Sequence, residues 1–208
     1  MTVFTILLNG DVVSTTRLKQ RIEKSRVIAA DGGIRHAALL AIKPELWLGD
    51  FDSTNYKLSR NFATVEKRHF PVKKDVSDGE IAVNEALARG ADEVILCGAF
   101  GGARFDYALS HVTLGLKLAD AGIKVLLTSG DQEGIPLRCG VQQFDFADNT
   151  PFSIIGLTRL EDLSITGAAW QLSHRDVEFG SSLTLSNTVC GKLTVNLGKG
   201  SAILIARF

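Results

Sequence analysis

The sequence predicts an α/β domain built on a parallel sheet, followed by an all-β sandwich or barrel. Up to about residue 130, strand patterns alternate with helical patterns, which is typical of a parallel sheet with helices on both faces. Beyond this point no helical pattern is convincing. Short apolar segments recur there between Gly, Asn, Asp and Ser, at the spacing of a sandwich or barrel. The change of pattern predicts a domain boundary near residues 130–140.

Each element has a local signal. Short aliphatic and β-branched runs predict strands in the first part at 3–8, 26–30, 46–48, 64–70, 93–97 and 124–128. Helices are predicted at 14–24, 33–40, 77–89 and 106–121. Leu18 and Ile22 share one face of the first helix, and Ser77 with Glu80 forms a capping-box pattern at the start of the third. In the second part, strands are predicted at 152–155, 163–165, 182–185, 193–195 and 203–206.

Composition and charge exclude several classes of protein. Lys plus Arg and Asp plus Glu both number 23, so the net charge indicates neither nucleic acid nor an anionic membrane surface as a partner. The three cysteines form no CxxC pair, and we expect them to be buried free thiols. The N-terminal segment has no basic region, and its apolar run is too short for a signal peptide or a membrane span. These features predict a cytoplasmic protein.

Three aspartates follow two predicted strands at the edge of the sheet where ligands bind in α/β proteins. Asp31 precedes Gly32 and Gly33 after the second strand, and Asp50 and Asp52 follow the third. A single strand-end aspartate is more often a cap or turn residue. Three together repel one another unless a cation neutralises them, and carboxylate oxygens suit Mg²⁺. Because strand residues i and i+2 share a face, Asp50 and Asp52 are predicted to point at one metal, or at a metal and a phosphate-bearing substrate.

Two further segments carry groups that suit phosphate. Residues 73–80 open the third helix and are either a solvated helix start or a set in which Asp78 completes the metal cluster while lysines contact phosphate. The loop at 98–106 lies between a strand and a helix, and its glycines let an anion approach the backbone. Arg104 offers a planar guanidinium for phosphate, unless it forms an ion pair with Asp106.

The second part offers fewer candidates. Trp170 is either a core residue or a flat face for an aromatic or cationic ligand. Ser186 and Asn187 supply a hydroxyl and an amide group. The four histidines show no metal-ligand spacing, and we expect them to be non-catalytic.

Five motifs in order along the chain resemble those of the thiamine pyrophosphokinase (thiamine diphosphokinase) family. They are DGG at 31–33, GDFDS at 49–53, KDVSD at 74–78, GAFGGARFD at 98–106 and SN at 186–187. The resemblance covers almost the whole chain. It implies a Rossmann-like three-layer α/β nucleotide-binding domain at 1–132, a β-sandwich thiamine-binding domain at 133–208, and a homodimer with active sites between subunits. The implied reaction is Mg²⁺-dependent transfer of pyrophosphate from ATP to the hydroxyl of thiamine, giving thiamine diphosphate and AMP.

The resemblance also implies roles for single residues. The implied catalytic carboxylates are Asp31, Asp50, Asp52 and Asp78, of which the last three are the implied metal ligands. The implied nucleotide-binding residues are Gly32, Gly33, Lys74, Asp75, Ser77, Arg104 and Asp106. The implied thiamine-binding residues are Trp170, Ser186 and Asn187. The sequence departs from the family pattern in the glycine-rich motif, where Ala103 is inserted and Tyr107 replaces a histidine.

Two alternative functions remain open. Related pyrophosphokinases share the aspartate motifs and act on other hydroxymethyl acceptors, such as a pterin. A catalytically silent nucleotide- or thiamine-binding protein would be of a different class. The thiamine-binding residues argue against the pterin, and the intact aspartates argue against a silent binder.

Overall fold

The computed structural model describes residues 1–51, 60–71 and 75–208, which form two compact units. Unit 1 comprises Met1–Leu114 and Ile123–Asp131, and unit 2 comprises Gly115–Gly122 and Gln132–Phe208. The chain is a mixed α/β protein with many strands, as the alternating pattern predicted. No helix in the described part of the chain is long and apolar enough to span a membrane.

Unit 1 is built on a parallel sheet. Its strands are β1 (Val3–Leu7), β2 (Arg26–Ala30), β3 (Leu46–Gly49), β4 (Glu66–His69), β5 (Glu93–Cys97) and β6 (Lys124–Thr128). The described pairs are all parallel, and the order across the unit is β6-β5-β1-β2-β3-β4. Apart from the exposed edge strand β4, these strands are mainly apolar runs, as expected for a parallel sheet covered on both faces. All six overlap their predicted ranges.

Side-chain caps start two of the described helices, and a 3₁₀ turn precedes a third. The described helices are α1 (Thr16–Ile22), α2 (Arg35–Leu40), α3 (Asp78–Ala88) and α4 (Phe105–Asp120). Thr15 caps α1 and Ser77 caps α3, each through a hydroxyl oxygen that accepts from the backbone N–H three residues on, at 3.1 and 3.2 Å. This confirms the predicted helix start at Ser77. The helix predicted from residue 33 begins at Arg35, because a 3₁₀ turn occupies Asp31–Ile34.

A network of charged side chains joins the strands of unit 1 to α3. Glu45, just before β3, accepts two hydrogen bonds from Arg26, at 2.9 and 2.7 Å, and pairs with Arg89 at the end of α3. Glu85 pairs with Arg89 at 2.7 Å and with Arg68 of β4 at 2.6 Å. Burial alone would raise the pKa of Glu45, but the hydrogen bonds from the two arginines outweigh it and hold that pKa below its ordinary value. The network therefore stabilises the unit with its carboxylates ionised.

Unit 2 is a set of antiparallel strands around its own apolar core. The strands are β7 (Gln132–Leu137), β8 (Gly140–Phe144), β9 (Pro151–Gly156), β10 (Leu160–Ala168), β11 (Leu172–Val177), β12 (Asn187–Leu197) and β13 (Ala202–Arg207). The long strand β12 pairs with β8, β9 and β10, while β11 extends from β10 and β13 lies between β9 and β7. Buried members of the core include Phe144, Phe152, Ile154, Leu163, Leu193 and Leu204.

The strand prediction for unit 2 is wrong at 182–185 and incomplete elsewhere. That segment is a turn, closed by a hydrogen bond from the nitrogen of Leu185 to the oxygen of Ser182 at 3.1 Å. The residue that it buries is Thr184, whose hydroxyl donates to the carbonyl of Ile154 at 2.6 Å, while the flanking leucines are exposed. Strands β7, β8 and β11 were not predicted, because glycine, proline or polar residues interrupt their apolar pattern.

The cysteines are free thiols in different environments. Cys97 is buried in β5, and burial raises its pKa to about 12. Cys139 and Cys190 are exposed, so the expectation that all three are buried is wrong for these two.

Candidate active site

The strand order of unit 1 places a crevice at one edge of its sheet. The chain runs from β1 outward through β2, β3 and β4, and β5 then pairs with β1 on the opposite side. The carboxyl ends of β1 and β5 therefore mark a topological switch point, where loops diverge and ligands bind in open α/β sheets. A pocket of about 790 Å³ lies here, lined by residues that follow β1, β2, β3 and β5 and by the first residues of α3.

The wall of this pocket is strongly charged. Its charged residues are Asp11, Asp31, Asp50, Asp75, Asp78, Arg35 and Arg104. Asp31, Asp50 and Asp78 thus line one pocket, which is the arrangement expected from their positions at strand and helix ends. Five carboxyl groups face two guanidinium groups. Such a wall accommodates a polyanion only when further cations accompany it.

Asp31 has a left-handed backbone conformation, with φ of 41°. Its carbonyl oxygen accepts a hydrogen bond from the indole nitrogen of Trp47 at 2.9 Å, and that tryptophan is fully buried. Gly49 leaves room for the turn, since a Cβ there would lie 3.1 Å from the Cα of Asp31. A non-glycine residue in this region costs about 1–3 kcal/mol and persists only where its surroundings hold it. Trp47 and Gly49 therefore fix the backbone from which the carboxylate projects.

The two glycines after Asp31 pack the loop against the end of β1. A Cβ on Gly32 would lie 2.7 Å from the side-chain oxygen of Asn9, and one on Gly33 would lie 2.1 Å from the carbonyl of Leu7. Neither glycine lines the pocket as described. Their role visible in the structure is close packing between two strand ends.

The segment after β3 leaves the strand direction at Asp50. Strand β3 ends at Gly49, and Phe51 has φ of 61°. Alternation between two faces holds only for extended backbone. Asp52 lies outside the described residues, so a common strand face for Asp50 and Asp52 stays a prediction. The ring of Phe51 packs edge-on against Trp47, with centroids 4.9 Å apart.

The start of α3 brings polar groups to the same pocket. The lining residues from this segment include Asp75, Ser77 and Asp78. The hydroxyl of Ser77 serves as the helix cap, and Lys74 lies outside the described residues. A Cβ on Gly79 would lie 2.9 Å from the side chain of Leu8, so the first turn of α3 packs directly against the end of β1. The helix thereby presents its amino-terminal end to the pocket.

The glycine-rich loop after β5 is held by carboxylates of the protein itself. The side chain of Asp11 accepts a hydrogen bond from the nitrogen of Gly102 at 2.7 Å. Arg104 donates two hydrogen bonds to Asp106, at 2.9 and 2.6 Å, which raise the pKa of Arg104 and lower that of Asp106. The guanidinium also lies over the ring of Tyr107, 4.8 Å from its centroid. The ion pair between Arg104 and Asp106, the alternative to phosphate binding, is therefore present. Phosphate binding by Arg104 stays a prediction.

Among the Asp, Arg and His residues that line the pocket, three were not predicted from the sequence: Asp11, Arg35 and His111. One nitrogen of Arg35, Nη2, donates to the carbonyls of Asn9 at 2.7 Å and Gly10 at 3.0 Å. His111 is buried, with Nδ1 3.2 Å from the carbonyl of Ala99, and burial lowers its pKa. We assign the proton of this neutral ring to Nδ1, since the carbonyl is an acceptor. No local motif marks these residues, because only the sheet topology brings them to the pocket.

Among the described residues, no three His, Cys, Asp or Glu side chains are grouped closely enough to hold a metal ion. Asp52, one of the three implied ligands, lies outside the described residues. The donor chemistry fits a hard divalent cation, because the described wall is rich in carboxylate oxygens and contains no thiol.

Unit 2 has a smaller pocket, of about 370 Å³, beside Trp170. Trp170 is 64% exposed, so it is not a core residue. The buried side chain of Asn187 holds its backbone: Oδ1 accepts from the nitrogens of Trp170 and Thr188 at 3.0 and 2.8 Å, and Nδ2 donates to the carbonyl of Trp170 at 2.7 Å. Ser186 has φ of 57°, and its nitrogen donates to the hydroxyl of Ser153 at 3.0 Å. Asn187 therefore positions the aromatic side chain that borders the pocket.

Two family models match the chain. The model described as thiamin pyrophosphokinase, catalytic domain, matches residues 18–127, which is more than half of the chain. The model described as thiamin pyrophosphokinase, vitamin B1 binding domain, matches residues 144–201. A similar protein is the thiamine pyrophosphokinase of Bacillus subtilis (strain 168), which is 26% identical over 189 residues, covering 88% of this chain and 84% of that protein.

Solved structures show the same fold. The crystal structure of thiamine pyrophosphokinase from Bacillus subtilis has a TM-score of 0.87 at 23% identity and covers 99% of both chains. The enzyme from Geobacillus thermodenitrificans gives 0.80 at 24% identity, covering 100% of this chain and 98% of that one. Thiamin pyrophosphokinase from Candida albicans gives 0.83 at 14% identity, covering 100% and 89%. At these identities the likeness establishes the fold alone.

Proposed function

The chain belongs to the thiamine pyrophosphokinase family, and on this premise we propose that it transfers the pyrophosphoryl group of ATP to the hydroxyl of thiamine. The products are thiamine diphosphate and AMP. The observation that carries the proposal is the carboxylate-lined pocket at the switch point of unit 1, in a chain that also matches the vitamin B1 binding model. We assign the phosphates of ATP to this pocket and thiamine to the pocket beside Trp170.

The reaction needs positioning and charge neutralisation more than covalent catalysis. The hydroxyl oxygen of thiamine forms a bond to the β-phosphorus of ATP, and the bond from that phosphorus to the bridging oxygen of AMP breaks. Asp50, Asp52 and Asp78 are the proposed ligands of Mg²⁺, which would neutralise phosphate charge. Asp31 lies in the same wall as Asp50 and Asp78, and the proton of the hydroxyl goes to one of the pocket carboxylates.

The finer architecture belongs to the same proposal. Residues 1–132 would form a Rossmann-like three-layer nucleotide-binding domain, and 133–208 a β-sandwich that binds thiamine. The parallel strand order of unit 1 and the antiparallel ladder of unit 2 support these assignments. A cytoplasmic homodimer with active sites between subunits stays a prediction, and sedimentation of the purified protein tests its oligomeric state.

A direct product assay tests the function. The purified chain is incubated with ATP and Mg²⁺ and with either thiamine or a hydroxymethyl-pterin, while AMP and the diphosphorylated acceptor are measured. We expect AMP and thiamine diphosphate in equal amounts, and no product after EDTA treatment. If AMP forms only with the pterin, the acceptor is a pterin and not thiamine. ATP binding without formation of AMP would indicate a catalytically silent binding protein.

Substitution of one pocket carboxylate tests the site itself. Asp50→Asn should reduce turnover at least 100-fold, because it removes a charged donor from the proposed Mg²⁺ site. Asp145→Asn is the matched control, since Asp145 is exposed and lies outside the pocket. Equal turnover of the two folded variants would contradict the assignment of Asp50.

A further inference from the structure

We propose that Arg35 binds phosphate oxygens of the pyrophosphoryl donor. The inference rests on the proposed function, since it assigns one residue of the pocket to the polyphosphate of the donor nucleotide. The glycine-rich motif drew attention to Arg104, but the structure places a second guanidinium in the same wall. Arg35 differs from Arg104 in two ways: most of its N–H donors are unused, and its charge is not paired with a carboxylate in the described part of the chain.

The contacts of Arg35 leave most of its donors available to a ligand. Only Nη2 is engaged within the described residues, and its partners are the carbonyls of Asn9 and Gly10. A guanidinium has five N–H donors, so Nε and Nη1 retain three of them. The two carbonyls are neutral, and therefore they orient the guanidinium without cancelling its charge.

The charge of Arg35 is not neutralised by a carboxylate in the described part of the chain, in contrast to Arg104. Arg104 donates both hydrogen bonds of a bidentate pair to Asp106, and its side chain is 65% exposed. Arg35 faces the pocket without forming an ion pair there. Guanidinium groups bind phosphate through charge-assisted hydrogen bonds. Of the two arginines in the described wall, Arg35 is the one that can do so without first breaking an ion pair.

The backbone around the Arg35 contacts is closely packed. The neighbouring His36 is buried, its Nε2 lies 2.9 Å from the same Gly10 carbonyl, and burial and the charge of Arg35 lower its pKa. A Cβ on Gly10 would lie 2.4 Å from the carbonyl of Gly98, so the loop after β1 is packed tightly against the end of β5. A guanidinium that is already hydrogen-bonded to such a loop loses little conformational freedom when a ligand binds. The geometry thus suits Arg35 to phosphate binding as well as to support of the loop after β1.

A role of Arg35 as a simple clamp for the loop after β1 is the structural alternative. Two substitutions separate the roles. Arg35→Gln keeps a donor for the carbonyls and removes the charge, whereas Arg35→Lys keeps the charge and loses the planar fork. Arg159→Gln is the matched control, because it removes an exposed arginine of unit 2 that pairs with Asp176.

Calorimetric binding of inorganic pyrophosphate and of ATP, both with Mg²⁺, is measured on the full-length variants, together with KM for thiamine. We expect Arg35→Gln to lower the affinity for both pyrophosphate and ATP by about 10- to 100-fold, because charged hydrogen bonds are lost. Arg35→Lys should recover part of this affinity, while KM for thiamine and the control stay within about twofold of the wild type. Normal pyrophosphate affinity of a folded Arg35→Gln variant would overturn the proposal. Equal losses in both variants with equally lowered Tm would establish the clamp instead.

The same experiment separates this inference from the proposed function. If the wild type forms thiamine diphosphate and Arg35→Gln binds pyrophosphate normally, only the role of Arg35 fails. If the wild type forms no product with thiamine while Arg35→Gln still loses pyrophosphate affinity, the function fails and the anion-binding role stands.

Discussion

Replacing Asn187 with alanine tests whether this residue clamps the backbone of Trp170 or binds thiamine directly. Its amide makes hydrogen bonds of 3.0, 2.7 and 2.8 Å to backbone groups of Trp170 and Thr188, and the residue is 4% exposed. Each such bond contributes about 0.5–1.5 kcal/mol, and a buried group left unpaired costs about 1–3 kcal/mol. We therefore expect Asn187→Ala to lower the free energy of unfolding by about 2–4 kcal/mol. Trp170→Ala should lower it by less than about 1 kcal/mol, since the ring is mostly exposed.

If Trp170 stacks on thiamine, both variants should have a raised KM for thiamine. Trp170→Ala removes the ring, and Asn187→Ala releases the backbone that positions it. Urea unfolding followed by circular dichroism gives the stability, and steady-state kinetics give KM. Asn196→Ala is the control on the same strand, because the described residues offer the half-buried Asn196 side chain no hydrogen bond. It should change stability by less than about 0.5 kcal/mol. An Asn187→Ala protein as stable as the wild type that nevertheless loses thiamine would refute the clamp.

Two further predictions concern unit 1. Gly33→Ala should cost about 3 kcal/mol, because its Cβ would lie 2.1 Å from the Leu7 carbonyl, whereas Gly90→Ala, with open space within 4 Å and φ of 81°, should cost about 1–2 kcal/mol. Equal urea midpoints for the two variants would contradict the steric argument. Glu45→Gln should flatten the acid side of the stability–pH profile. The folded pKa of Glu45 is lowered, so its contribution, about 0.5–1 kcal/mol, is complete above the unfolded value of 4.5 and is lost as pH falls through the folded pKa. Superimposable acid profiles would rule out this contribution.

The sequence by itself determined the elements whose signals are local. Strands Arg26–Ala30, Glu93–Cys97 and Lys124–Thr128 lie at their predicted residues, because a short apolar run bounded by polar or turn residues specifies a buried strand. The helix cap at Ser77 was also predictable from the sequence, since a capping hydroxyl accepts a hydrogen bond from the N–H three residues along the chain. The order of motifs indicated the family, and the family models agree.

The tertiary structure decided which side chains meet. Arg35 reaches the carbonyls of Asn9 and Gly10 because β1 and β2 are adjacent and parallel, and no pattern within either segment encodes that contact. Phe51 has a positive φ, so the backbone after β3 departs from the extended form on which strand alternation depends. Contacts between distant segments and departures from regular backbone depend on packing across the sheet, and periodicity along the chain carries no information about them.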